Sequence, residues 1–260
     1  EVLHAALWKE NRLKECWKGN LNQVWEFGEG ETEEVSKPLQ SVLVNYFKRC
    51  NKYIDEQVED FLKNGTCPIT GSSKLAWPSE QYYPEGFNDS GTYRYYWHAM
   101  QPAISLMVYS VENNSMSALI AAREFISNWL EYSYYTPDAD QKYAWYDHGT
   151  AERLMAFILL FQIGLDKQFD YRFMSRLKRV IITHAQLLES ESFYSCHQRT
   201  RFHNHAWFQD MALFAVAASF PCLTASERWA TRGKERLNEQ FEKLIVRDNG
   251  YSVFIENSIG

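Results

Sequence analysis

The chain has 260 residues and a mass of 30.6 kDa, with 45% hydrophobic and 23% charged side chains, a balance that excludes intrinsic disorder and collagen-like repeats. The 27 basic and 33 acidic side chains leave a net charge of −6. That argues against nucleic acid as the main partner, because phosphate binding needs a basic face, but it leaves room for an acidic ligand in a locally basic groove. No run reaches the roughly 20 apolar residues of a membrane span, the longest being Leu154 to Phe161.

Residues 1–35 are mixed and polar and end in the acidic Gly28-Glu29-Gly30-Glu31-Thr32-Glu33-Glu34. They read as an N-terminal arm with one short helix, ahead of a single helical domain over 36–260. Ser36 can cap a helix that has Pro38 in its first turn and runs to about Leu62, where Asn64-Gly65 stops it. Residues 64–92, with turns such as Trp77-Pro78 and Tyr83-Pro84-Glu85-Gly86, read as a long loop, and long loops in compact domains are often functional. Helices are predicted from Tyr93 to about Val111 and from Ser115 to Tyr132, the second on the spacing of Leu119, Ala122, Ile126, Trp129 and Leu130. Gly149-Thr150 opens the next helix and Gly164 ends it. It is apolar all round from Leu154 to Phe161, so it should be buried on most sides. Met174, Leu177, Ile181, His184 and Leu188 mark a fifth helix, and 205–218 a sixth. Thr224 and Glu227 form a capping box for a seventh, carrying Trp229, Leu237, Phe241 and Ile245. No alternating strand pattern competes. The fold class is all-α, and amphipathic helices alternating with deeply buried ones are what a helical toroid requires.

Aromatic side chains make up 16% of the chain and are interleaved with polar ones, as in Tyr93-Arg94-Tyr95-Tyr96-Trp97-His98. Such rings either line a wet groove, where sugars stack on them, or fill a helical core. The densest polar cluster, His197-Gln198-Arg199-Thr200-Arg201-Phe202-His203-Asn204-His205, precedes an apolar helix. A helix N-terminus favours an anion, so Asn204 either caps the helix or offers its amide to a substrate carboxylate. His203-x-His205 lacks the partner spacing of a metal site, and no metal or cofactor is expected. Tyr143-Ala144-Trp145-Tyr146-Asp147-His148-Gly149-Thr150-Ala151-Glu152-Arg153 reads in two ways. Thr150 caps a helix in which Glu152 or Arg153 makes a structural ion pair, or the stretch is a groove wall with Trp145 stacking on a sugar and Arg153 facing an acid. Tyr96-Trp97-His98 is open to the same pair of readings. No serine-hydrolase elbow, phosphate loop, dinucleotide fingerprint or zinc-protease motif is present. Five cysteines (Cys16, Cys50, Cys67, Cys196 and Cys222), an odd count without metal spacing, argue against a disulfide framework but leave one or two bridges open. Glu1 and Ser258-Ile259-Gly260 read as the ends of a processed or cut chain.

The stretch Phe202-His203-Asn204-His205-Ala206-Trp207-Phe208-Gln209-Asp210-Met211-Ala212-Leu213 resembles the Asn-His segment of heparinase II/III-type polysaccharide lyases. Ala217-Ala218-Ser219-Phe220-Pro221, Trp229, Asp248-Asn249-Gly250 and Glu256 follow in an order similar to that of the heparinase III branch. Trp145 with Ala151-Glu152-Arg153-Leu154, and Tyr96-Trp97-His98, also look like that family, so the resemblance covers most of residues 90–260. It implies an incomplete (α/α) toroid whose C-terminal β-sandwich partner is absent from this chain. The implied activity is β-elimination on uronic-acid polysaccharides such as heparan sulfate or alginate. It assigns catalytic roles to Asn204, which neutralises the uronate carboxylate, and to His205. Tyr96, Trp97, His98, Trp145, Arg153, Arg201, His203 and Glu256 are the expected substrate-binding residues. The family's catalytic Tyr would fall just past Gly260, so this chain is expected to hold half an active site and to be inactive alone. The implied location is periplasmic or secreted, and the implied partner an acidic polysaccharide. Two alternatives stay open. One is an (α/α)-barrel glycoside hydrolase with Asp147, Glu152 or Asp210 as its carboxylates. The other is a non-catalytic glycan-binding or surface-polysaccharide assembly protein.

Overall fold

The computed structural model describes residues 38–70, 76–77, 83–84, 90–134, 140–194, 202, 204–248 and 251–254, so the arm predicted over 1–35 lies outside the described residues. The described chain divides into two compact units, one spanning Gln40–Phe169 and the other Pro38 and Leu39 with the described residues from Asp170 onward.

The first unit begins with α1 (Pro38–Cys50) and α2 (Ile54–Asn64), where the sequence predicted one helix. Asn51 breaks it: its side chain accepts the Tyr53 N–H at 3.0 Å and donates to Gln57 at 2.8 Å, competing with the helical backbone. Gly65, at φ 71°, ends α2 with its N–H on the Phe61 carbonyl. Next come α3 (Gly91–His98), capped by Ser90, and α4 (Gln101–Asn113). The single helix predicted from Tyr93 is interrupted here because Pro102 has no N–H for the carbonyl of His98 and its ring would clash with it. Met100 takes a left-handed φ of 68° to make the junction. Asn114 and Ser115 turn the chain into α5 (Met116–Trp129), which passes into a π-helical turn over Leu130–Tyr134. The short α6 (Gln141–Ala144) leads to α7 (Asp147–Asp166). α7 is the core of this unit: Ala151, Leu154, Ala156, Phe157, Ile158, Leu159 and Leu160 are all fully buried.

The second unit contains α8 (Tyr171–Glu189), α9 (Glu191–Tyr194), α10 (Asn204–Ser219) and α11 (Ser226–Leu244). Asp170 caps α8 by accepting the Phe173 N–H at 2.9 Å. The predicted capping box at Thr224 does not form. Ala225 stands at the cap without a side-chain bond, and the Ser226 hydroxyl bonds the Phe220 carbonyl instead. α10 and α11 form a closely packed hairpin, and α8 lies against both. One further difference from the sequence reading is a two-stranded antiparallel ribbon of β1 (Ile245–Asp248) and β2 (Tyr251–Phe254), with Ile245 opposite Phe254. The two residues between the strands are Asn249-Gly250, the pair that tight hairpins favour.

The fold is all-α, of the helical-hairpin kind from which an incomplete (α/α) toroid is assembled. Among the described residues the ribbon is the only sheet, and no helix is long and apolar enough to cross a membrane. Cys50, Cys67 and Cys222 are free thiols, and burial pushes the Cys67 thiol up to about 12.

Candidate functional site

Asn204 and His205 occupy the first two positions of α10, and both are half-buried. The first N–H groups of a helix have no intrahelical acceptor, so the backbone here presents donors beside the Asn204 amide and the His205 imidazole. Behind them α10 is apolar on every face apart from Gln209 and Asp210, which are buried. Asp210 accepts a hydrogen bond from the Tyr194 hydroxyl at 2.9 Å. Burial and the Asp210 carboxylate both push the Tyr194 phenol well above its usual range, so it stays a neutral donor. Arg201, His203 and Glu256 lie outside the described residues.

The other predicted site residues belong to the first unit, where α3, α5 and α7 meet. Tyr96 is half-buried, but Trp97, His98, Trp145 and Arg153 are at 1%, 0%, 3% and 0% exposure. The groove wall expected from the sequence is therefore an interior cluster at these four positions. The Arg153 guanidinium sits between two indoles, 4.3 Å from the Trp129 ring and 5.2 Å from that of Trp145. It donates to the His98 carbonyl at 2.6 Å and to Thr150 Oγ1 at 3.2 Å. Its stacking and hydrogen bonds compensate the burial of the charge.

His98 links this cluster outward. Its Nδ1 accepts the Trp129 indole N–H at 3.0 Å, and its Nε2 faces Asp140 Oδ2 at 3.5 Å. An indole nitrogen only donates, so Nδ1 is unprotonated and the ring proton lies on Nε2. Burial pushes the imidazole down to about 4, against the opposing pull of Asp140. Burial alone would raise the Asp140 carboxyl, but hydrogen bonds from His98 and Arg94 outweigh it and hold the group below its usual range. Arg94 grips Asp140 through Nε at 2.7 Å and through Nη2, while its guanidinium lies 4.4 Å over the Tyr143 ring.

A third group is half-buried on the same unit. Tyr95 donates from its hydroxyl to Glu152 Oε2 at 3.1 Å, and His148 Nε2 lies 3.4 Å from Glu152 Oε1. Tyr146 and Tyr96 flank the Tyr95 ring at 5.9 and 5.3 Å between centroids. Of the ion pair predicted for Glu152 or Arg153, Glu152 has the His148 imidazole as its basic neighbour one turn away, while Arg153 is held by the indole faces and by neutral oxygen acceptors. Sequence reasoning missed Trp129, Asp140, Arg94 and His148. The i, i+4 pairs Arg94–His98 and His148–Glu152 were signals that could have found two of them, Arg94 and His148.

Each unit thus offers its own kind of chemistry. Asn204 and His205 present amide, imidazole and helix N–H groups suited to an anion. The Tyr95, Tyr96, Tyr146, His148 and Glu152 surface offers aromatic faces with polar edges, suited to a sugar ring. Among the described residues no group of acids, histidines or cysteines is arranged to hold a metal ion. The heparinase II/III N-terminus family matches residues 93–253, more than half of the chain. Comparison with curated proteins and with solved structures returned no match.

Proposed function

This chain belongs to the heparinase II/III family, as its N-terminal helical part, and from that premise we propose that it forms part of a polysaccharide lyase cleaving a uronic-acid-containing glycan by β-elimination. The observation that carries the reading is Asn204, placed at the first position of an apolar helix inside the matched region. In this reading the Asn204 amide and the helix N–H groups bond the uronate carboxylate. That disperses the charge that builds up as C5–H is lost. A Tyr or His takes the C5 proton, an acid protonates O4 of the leaving sugar, and a C4=C5 double bond forms. His205 assists beside Asn204, and Tyr96, Arg201, His203 and Glu256 contact the polymer. Trp97, His98, Trp145 and Arg153 hold the aromatic surface from beneath. The substrate is a heparan sulfate- or alginate-like polymer, and the location is periplasmic or secreted, where such polymers are met.

A hydrolase needs two carboxylates facing one groove. Asp147 and Asp210 are fully buried, Asp147 accepting the His148 N–H at 2.8 Å and Asp210 held by Tyr194. That weighs against the hydrolytic alternative.

The test uses the full-length protein with heparan sulfate, hyaluronan, chondroitin and alginate in turn, following ultraviolet absorbance from the new double bond. A rise with one polymer, abolished by Asn204→Ala, is the expected result. Full turnover by the Ala variant would sink the role of Asn204. No rise with any polymer, together with measurable glycan binding, would move the reading to a binding or assembly protein.

A further inference from the structure

Between its ends α10 is apolar except at Gln209 and Asp210, and four of its buried residues are alanines: Ala206, Ala212, Ala215 and Ala217. Apolar packing of small, similar side chains constrains the separation of two helices well, but their relative rotation and depth poorly. Asp210, fully buried in this helix, supplies what the alanines cannot. A buried carboxylate is costly unless it is bonded, and apolar replacements are often no less stable. What the polar group adds is direction, since a hydrogen bond is satisfied at only one rotation and one depth.

The partners of Asp210 come from two other elements. Tyr194, the last residue of α9, donates its hydroxyl to Asp210 Oδ2 at 2.9 Å and accepts in turn from Gln240 Nε2 of α11 at 3.0 Å. Arg236 of α11 stacks 3.9 Å over the Tyr194 ring, with Nη1 3.9 Å from Asp210 Oδ1. The same guanidinium donates to the carbonyls of Leu188 and Glu189 at 2.9 and 3.0 Å, so it also ties down the end of α8. One turn earlier on α11, Gly233 lets the two backbones meet at this level: a Cβ there would lie 3.1 Å from the Asp210 carbonyl oxygen. α8, α9, α10 and α11 are thus locked together at one point, about 9 Å along the axis from Asn204 at 1.5 Å per residue.

We infer that Tyr194, Asp210, Arg236 and Gln240 are positioning residues for Asn204, setting the rotation and depth of α10 so that its amide meets the substrate carboxylate. The inference rests on the lyase reading above. Misplacing a catalytic group by about 1 Å can cost on the order of 100-fold in rate, so the effect should appear in turnover rather than in substrate affinity.

Tyr194→Phe in the full-length protein is the test, because it keeps the ring beneath Arg236 and removes only the hydroxyl. Two readouts are taken: steady-state kinetics on the polymer that the wild type cleaves, and amide hydrogen exchange of the peptides covering α10 and α7. The expected result is a fall in kcat of about 10- to 100-fold with KM unchanged, faster exchange at the N-terminal end of α10, and no change in α7. Gln240→Met, which leaves the Tyr194–Asp210 bond in place, should have a much smaller effect on both. Unchanged kcat and exchange in Tyr194→Phe would overturn the inference. Faster exchange across the whole chain with kcat and KM both impaired would overturn it too, since that is general loosening. If the wild type cleaves no polymer, the lyase reading fails on that result alone, and the exchange pattern still decides whether the lock governs the end of α10.

Discussion

The indole N–H of Trp129 donates to Nδ1 of His98 at 3.0 Å, and that one bond determines which imidazole nitrogen carries the proton. It also gives the fold a defined sensitivity to acid. Folded, His98 stays neutral down to about pH 4; in the unfolded chain it takes up a proton near its ordinary value of 6.5. Between those values the unfolded state binds more protons, so stability falls as pH falls. The contribution is complete above pH 6.5 and is lost by pH 4, and at 1.36 kcal/mol per pKa unit it is of the order of 3 kcal/mol. Asp140, whose carboxyl is held below 3.8, adds acid sensitivity only at still lower pH. Urea unfolding across this range should show the decline, and His98→Asn should flatten it. An equally steep decline in the variant would assign the effect to other groups.

Arg153 should be the costliest single truncation in the first unit. Pro102 cannot give an N–H to the His98 carbonyl, and Arg153 supplies the donor in its place while filling the space between Trp129 and Trp145. Arg153→Ala removes both roles and should cost about 3 to 5 kcal/mol. Arg153→Met keeps most of the volume and should cost about 1 to 3 kcal/mol, the penalty for a buried carbonyl stripped of its donor. Denaturant midpoints of the two variants, at unchanged m value, measure the difference. Equal losses would mean that the lost donor accounts for the whole effect and the filling of the space between the indoles contributes nothing.

The helices were legible where the apolar period is long and uninterrupted, as in α8, whose five marker residues all lie in it, and in α7 and α10, whose predicted extents fall within two residues of those found. The reading failed where a break depends on one residue's hydrogen bonding. Asn51 turning back on Tyr53, and the His98 carbonyl released by Pro102, leave no gap in the apolar pattern. The ribbon was missed although Asn249-Gly250 announces it, because strands of four residues are too short for alternation to stand out. At the site the residue types were legible and the burial was not. Arg153 and Trp145 look like a groove wall until Trp129, more than 20 residues away in sequence, closes over the guanidinium.

Asn114 joins α4 to α5 at φ 50°, a left-handed conformation in which a Cβ is strained. Asn tolerates it better than most residues and Gly best. Asn114→Ala should therefore cost about 1 kcal/mol, while Asn114→Gly should stay within about 0.5 kcal/mol of the wild type. Its side-chain bond from Lys167 at 3.2 Å is exposed and is lost in both variants, so it cancels from the comparison. Thermal unfolding of the pair checks this, and equal midpoints would show that the turn relaxes its φ at no cost.

Gly233 sets two effects of opposite sign against each other. It lies in the interior of α11, where alanine would gain about 1 kcal/mol in helix propensity. An alanine Cβ would also stand 3.1 Å from the Asp210 carbonyl oxygen, 3.2 Å from the Phe214 nitrogen and 3.3 Å from the Phe214 Cβ. Two of these neighbours are backbone atoms of α10, which cannot swing aside as a flexible side chain would. The helices must separate, and overpacking of this kind costs about 1 to 3 kcal/mol. The crowding wins: Gly233→Ala should lose about 1 kcal/mol net, lowering the midpoint by about 3 °C, and Gly233→Val should lose more. The same separation strains the Tyr194–Asp210 bond, so exchange at the start of α10 should quicken in both variants. A midpoint that rises by the amount helix propensity alone would give means that α10 and α11 part freely, and the close approach is then not why glycine stands here.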